Sequence, residues 1–423
     1  MIKRKICLVI EDGGYSEMCF SNPELGNPGV SGTVYEFLML IKYLIPRELG
    51  DIFVYHFGNN VYPDGCVNKI IENHNDIMSD ISSGTDILIV QSKLSKEFYK
   101  ELEKKDIKTI IWAHNYLSGE EIELFYKLKN IKRVVFVGRE QYDHYIGHDI
   151  IFKSEFIYNM YNCIEQSFRE KCDKHIVTYT GCIIPAKGFH LIAKIWKEIL
   201  NEVPDAQLYV LGNGKLYDSR NELGEYGIAE DKYEKTFINY ITDDTGELLD
   251  SIHFMGVLGP DKDDIYKQTM VGVMNPTGIS ETFGLSGVEM SARKIPVVTK
   301  KKYGLLDIIR DGETGYLVKN EKQLKKAIVK LLLDNELNSK MGESGYRFVR
   351  EKFQPEKIIL KWEELILGVF QGKDSELVYP TDNYFNDRKW IMIANRKIRN
   401  IFPQFPSVVG LKARISRVNK RGD

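Results

Sequence analysis

The chain has 423 residues, 43% hydrophobic and 28% charged, with a formal net charge of −2. That length is too great for one ordinary core and predicts two domains, while the near-neutral balance gives no basis for a general affinity for nucleic acid. Six cysteines, at 7, 19, 66, 163, 172 and 182, contain no C-x-x-C pair, so reduced thiols in a cytosol are expected rather than a disulfide framework. The opening M-I-K-R-K-I-C-L-V-I-E-D is basic and then apolar, in the manner of a signal peptide. Its apolar run is too short and stops at Glu11-Asp12, so it reads as a first strand. No stretch reaches the ~18 apolar residues of a spanning helix, and an integral membrane protein is not expected.

Residues 6–10 form that strand, followed by a Gly- and Pro-rich loop ending in Asn27-Pro28-Gly29-Val30-Ser31-Gly32-Thr33 and an apolar helix over 34–44. Strand, glycine loop and helix make a nest of backbone N–H groups that accepts phosphate. The loop is not G-x-G-x-x-G, so a dinucleotide site is disfavoured, and a plain flexible connection fits Gly32 equally well. Strand candidates at 52–57, 86–90, 109–113 and 133–137 alternate with polar helical segments. That alternation predicts βαβ units in a parallel sheet, with ligands at the carboxyl ends of its strands. His114 occupies such an end, either as a hydrogen-bonded junction residue or as a partner for a ligand hydroxyl. Asp143-His144-Tyr145-Ile146-Gly147-His148-Asp149 has two histidines four apart, a metal-ligand spacing on a helix. It lacks the general base of H-E-x-x-H and Gly147 weakens the helix, so a solvated turn is expected.

A domain boundary is expected within 160–172. Strand 176–180 leads to Gly181 and to Lys187-Gly188 ahead of a helix reaching residue 200; Lys187 reads as a phosphate ligand, against an exposed surface lysine. Strand 207–211, a polar surface helix over 217–248 and a short strand at 252–256, trailed by Val257, follow. Asp261, Asp263 and Asp264 contain the D-x-D of metal-dependent diphosphate sites, but they follow Gly-Pro and read as a helix start. After strand 271–274, Gly278 to Glu289 reads G-I-S-E-T-F-G-L-S-G-V-E, running from loop into helix. Glu281 and Glu289 are then about 12 Å apart along a helical rise, the length of a nucleotide-sugar from hexose to ribose. Between them Phe283, Gly284 and Leu285 present backbone N–H groups at the positive end of the helix, where phosphate binds. Helices are expected at 321–333, 336–352 and 355–370. Beyond them, ten basic residues from Arg388 to Arg421 face one acid, Asp423, and interleave with Trp390, Ile401, Phe402 and Phe405. That mixture suits an anionic bilayer surface; a disordered tail or a helix packed on the first domain are the alternatives, and nothing else supports nucleic acid.

The E-x7-E arrangement, with T-F-G-L after Glu281 and P-V-V-T after the helix, resembles the donor site of family-4-type retaining glycosyltransferases of the GT-B fold. The likeness continues through Lys301 to Val318 and Lys340 to Phe353; it is strong from about 176 to 365 and weaker before. The resemblance implies an α/β chain of two Rossmann-like domains whose parallel sheets face a central cleft. They would span 1–165 and 166–370, with an extension over 371–423. It implies transfer of a sugar, from a UDP-sugar, to a surface or lipid-linked glycan on the cytoplasmic side, with no metal or cofactor. His114, Glu281 and Lys187 would act at the sugar and its leaving group. Gly32, Gly181, Lys187, Val257, Phe283, Gly284, Leu285 and Glu289 would bind the donor. The family pattern pairs Lys187-Gly188 with an Arg five residues before the Lys, where this chain has Cys182, so one of two cations on the diphosphate is missing. An inactive GT-B partner of another transferase and a nucleotide-sugar epimerase remain as alternatives.

Overall fold

The structure is a computed structural model that describes residues 4–83, 86–163, 168–169, 174–214, 222–259, 261–380 and 389–411. The chain divides into two compact units, Met1–Met160 with Pro355–Asp423, and Tyr161–Gln354.

The first unit carries β1 (Lys5–Ile10), β2 (Asp51–His56), β3 (Val67–Ile70), β4 (Asp86–Gln91), β5 (Lys108–Ala113), β6 (Ile131–Phe136) and β7 (Ser154–Phe156). They form one parallel sheet in the order β3-β2-β1-β4-β5-β6-β7. The inner strands β1, β4 and β5 are buried along almost their whole length, as continuous apolar runs must be when helices cover both faces. The edge strand β3, V-N-K-I, is largely exposed and carries no such run.

The Pro355–Gln371 helix belongs to this first unit, so the donor-side domain expected over 166–370 ends at Gln354. Burial decides it: Trp362 meets Trp112 edge to face with centroids 4.7 Å apart, and Glu363 pairs with Arg47. The boundary expected at 165/166 lies outside the described residues. The tail extension is a helix too, Lys389–Ile401, packed on the first unit through Lys389, Met392, Ile393, Asn395 and Arg396. Its seat is the segment expected to be a solvated turn, and that expectation is corrected. Glu140, Asp143 and His148 are buried there: Lys389 pairs with Glu140 and Asp143, and Arg396 bonds the carbonyl of Ile146 and the carboxylate of Asp149. Of the basic tail residues, Arg388, Lys412, Arg414, Arg417, Lys420 and Arg421 lie outside the described residues, as does Asp423.

The second unit carries β8 (Ile176–Thr180), β9 (Gln207–Leu211), β10 (Ile252–Gly256), β11 (Val271–Val273), β12 (Val297–Lys300) and β13 (Gly315–Val318) in the parallel order β10-β9-β8-β11-β12-β13. Strand order reverses between β8 and β11, and a doubly wound sheet opens a crevice at that point for a ligand. The stretch expected as a polar surface helix is, over its described part, two short helices, Asp231–Glu234 and Ile238–Ile241, that bury Tyr233, Phe237 and Ile241 in the core. Glu234 is buried among them and accepts the backbone N–H groups of Tyr226, Ile228 and Ala229.

Candidate functional site

Two loops leave the carboxyl ends of β8 and β11 and meet. The first runs through Gly181 and Cys182 to Lys187-Gly188 and is held from below by Tyr179, whose buried hydroxyl donates to the carbonyl of Lys187 at 3.0 Å. The second opens with Asn275 at φ +34, a left-handed turn that its own side chain stabilises by accepting from Thr277 and from the Gly278 N–H. Thr277 in turn donates to the carbonyl of Ala186, joining the loops. Gly188 is required at this junction: its φ is +77, and a Cβ there would sit 2.6 Å from the Thr277 methyl. The closure brings Lys187 Nζ to 2.7 Å from Glu281 Oε2, which also accepts from Asn275 Nδ2 at 2.8 Å.

Gly284, at φ +93, then starts the Leu285–Ala292 helix. The Phe283 ring is core, packed edge to face on Phe353 at 5.1 Å, so that residue has only its backbone to offer a ligand. Glu289 lies one turn into this helix, and its Oε1 accepts from Lys262 Nζ at 2.6 Å. Lys262 opens the helix Lys262–Gln268, which starts where the D-x-D reading placed a helix. Asp263 is bound by Arg293, whose guanidinium also reaches the Tyr161 hydroxyl and the carbonyl of Glu289. One turn beyond Lys262, the Tyr266 hydroxyl is 3.1 Å from Thr180 Oγ1 at the end of β8. Lys262 and Tyr266 share a helix face, so Lys262 stands beside the β8 rim where Cys182 supplies no charge. The sequence reading missed both Lys262 and Arg293; a lysine in a run of aspartates looks like a solvated helix start.

Gly181 donates to the Leu211 carbonyl at 2.9 Å, and Gly212 must be glycine because a Cβ there would lie 2.1 Å from the Gly181 carbonyl oxygen. Val257 follows Gly256 out of β10 and is exposed. Among the described residues no group of three or more His, Cys, Asp or Glu side chains could hold a metal ion.

His114 and Gly32 lie in the first unit. Gly32 opens the Gly32–Leu44 helix behind Ser31, whose hydroxyl accepts the Val34 N–H. His114 follows β5, with its ring against Trp112 (4.6 Å) and Phe37 (6.1 Å). Burial pushes its imidazole down to about 3, so it is neutral at physiological pH and offers a hydrogen bond rather than a charge.

Residues 163–348 match the family described as glycosyl transferases group 1. A glycosyltransferase of Methanocaldococcus jannaschii is 24% identical over 331 residues, 78% of this chain and 76% of that protein. The capsular polysaccharide biosynthesis glycosyltransferase CapM of Staphylococcus aureus is 28% identical over 207 residues, 48% of each chain. The solved structure of Anabaena HepE in complex with UDP superimposes with a TM-score of 0.65 at 13% identity, covering 86% of this chain and 100% of that one. Both switch-point loops and the helix carrying Glu289 fall inside the matched stretch. This chain is therefore a glycosyltransferase with the GT-B fold, and its second unit belongs to the glycosyl transferases group 1.

Proposed function

We propose that the protein is a retaining glycosyltransferase that moves a sugar from a UDP-sugar to a surface polysaccharide or a lipid-linked glycan. The observation that carries this reading is the meeting of Lys187 and Glu281, 2.7 Å apart, at the switch point of the second sheet. Glu281 accepts hydroxyls of the transferred sugar, and Glu289 accepts those of the ribose. Lys187 and the backbone N–H groups of 283–285 take up the charge of the departing diphosphate. The bond from the anomeric carbon to the diphosphate oxygen breaks, and the acceptor oxygen bonds that carbon on the same face. The acceptor's hydroxyl proton passes to an oxygen of the leaving phosphate. The capsular role of CapM and the UDP bound by HepE support these acceptor and donor classes.

A panel of nucleotide-sugars tested first by thermal shift and then for turnover checks the reading, because a bound donor stabilises the native state. Transfer with retained anomeric configuration, lost in Lys187→Ala and Glu281→Gln, is expected. No turnover with any donor would leave an inactive partner protein, and conversion of the donor without acceptor would make it an epimerase.

We further infer that the protein works at the cytoplasmic face of a membrane as a peripheral protein. No helix among the described residues is long and apolar enough to cross a membrane. The tail helix, however, turns Lys389 and Arg396 inward and leaves Trp390, Ile398 and Ile401 outside. Partitioning of the full chain onto vesicles, reduced by Trp390→Ser with Phe402→Ser, is the expected outcome; equal partitioning would remove the idea.

A further inference from the structure

We infer that the first unit holds a second anion site, a seat for the phosphate headgroup of an anionic lipid, on the rim of its sheet opposite His114. The inference rests on the membrane reading above. A cavity of about 450 Å³ is lined by Lys108, Lys129, Lys132, Arg133, Lys153 and Lys373, with Asp374 as the one acidic residue in that lining. Lys108 opens β5 and Lys132 and Arg133 stand at the start of β6, so in a parallel sheet the cavity lies at the amino-terminal rim, whereas His114 follows the carboxyl end of β5.

Arg133 pairs with Glu155 at 2.8 Å. Lys132 Nζ instead bonds the carbonyl of Lys129, and Lys153 Nζ bonds those of Tyr126 and Leu128 at 2.9 and 2.8 Å. Glu103 accepts the Lys129 backbone N–H at 2.8 Å and its charge also reaches Lys153. Burial first and then the nearby charge of Lys132 lower the Lys153 pKa, against the opposing pull of Glu103. Such a cluster costs free energy until an anion joins it.

The occupant follows from what borders the cavity. Phe152 lines it, is 45% exposed, and carries the Arg396 guanidinium of the tail helix 4.9 Å above its ring. That helix leaves part of its apolar surface outside. It buries Lys389, Met392, Ile393, Asn395 and Arg396 on the protein, while Trp390 (52% exposed), Ile398 (40%) and Ile401 (73%) face out, continued by Phe402 (65%) and Phe405 (44%). Residues 412–421, which follow in sequence, add five Lys and Arg. An apolar ridge beside a cationic cavity matches the boundary of an anionic bilayer, with acyl chains against the ridge and a headgroup phosphate in the cavity. A soluble phosphate would have no use for the ridge.

The test is co-sedimentation of the full-length protein with phosphatidylcholine vesicles and with vesicles containing about a third phosphatidylglycerol. The wild type is expected to prefer the anionic vesicles by tenfold or more. Lys129→Gln, Lys132→Gln and Lys373→Gln together are expected to erase that preference, leaving the weak binding seen with neutral vesicles, at unchanged Tm and sugar transfer. Phe152→Ser with Phe402→Ser is expected to lower binding to both. Anionic preference retained in the triple variant, or absent from the wild type, overturns the headgroup site while the membrane reading stands. Failure of the wild type to bind either vesicle ends both. Inorganic phosphate raising the wild-type Tm, with no anionic preference on vesicles, would assign the cavity to a soluble anion instead.

Discussion

The molecule buries lysine–carboxylate contacts in two places, on two kinds of backbone. At the switch point of the second unit the side chains of Lys187 and Glu281 are 27% and 13% exposed, and the loops that carry them use left-handed turns at Asn275, Ser280 and Gly284. In the seat of the tail helix Lys389 is 5% exposed against Glu140 at 5% and Asp143 at 0%, and every partner stands on a regular helix. A pair that water can reach can exchange one partner for a ligand. A pair as deeply sealed as Lys389 with Glu140 and Asp143 cannot, and removing its lysine leaves carboxylates in a dry environment with one cation fewer. Positive φ is the second difference: the switch-point loops carry it at Asn275, Ser280 and Gly284, and the two helices of the tail seat carry none.

The sharpest way to break the comparison is to cut one lysine from each place. Lys389→Met should destabilise the protein by about 3 kcal/mol, because Glu140 loses a buried cation and Asp143 keeps only Arg139. Denaturant unfolding followed by circular dichroism reads this, and UDP affinity should not move. Lys187→Ala and Glu281→Gln should do the reverse, lowering kcat/KM about 10²-fold with Tm nearly unchanged; a large fall in Tm would place that pair with the structural ones. Lys262 sharpens the contrast within the site. If its charge is used on the diphosphate in place of the one missing at Cys182, Lys262→Gln should weaken UDP about tenfold, as loss of one charge-assisted hydrogen bond does. Calorimetry should find uridine unaffected, since Glu289 is then freed for the ribose; equal loss for both would make Lys262 only a prop for Glu289.

The last comparison concerns pH. The His114 imidazole titrates at about 3 in the folded protein and near 6.5 when unfolded, so the unfolded chain takes up the proton first. Its contribution to stability is therefore complete above about pH 6.5 and is lost as pH falls toward 3, at no more than about 1.4 kcal/mol per pH unit. Thermal melts from pH 7 to 4 should show a shallower decline in His114→Phe. The transfer rate should show no inflection from this residue near neutrality.

The inner strands were legible because each is a short apolar run between turn residues, as in C-L-V-I and I-I-W-A. Lys187, Glu281 and Glu289 were legible because their loops hold glycines at fixed offsets before a helix. The edge strand β3 was not, since V-N-K-I has one bare face and no apolar run. Lys262 escaped because its partner Glu289 is 27 residues away and on another helix. The buried seat at Asp143 to Asp149 escaped for the same reason at greater range. Its polar residues looked solvated until Lys389 arrived from 246 residues downstream.

Local order in the chain thus determined the two parallel sheets, the glycine-bearing turns at their rims and the acidic pair spaced along one loop and helix. Hydrophobic period and turn chemistry act within a few residues and are written directly in the residues concerned. Only the tertiary structure decided which charge meets which, and that the tail helix packs on the first unit with Lys389 and Arg396 buried. Those outcomes depend on strand order and on charges brought together from distant segments, and no spacing along the sequence encodes a desolvated contact between elements that far apart.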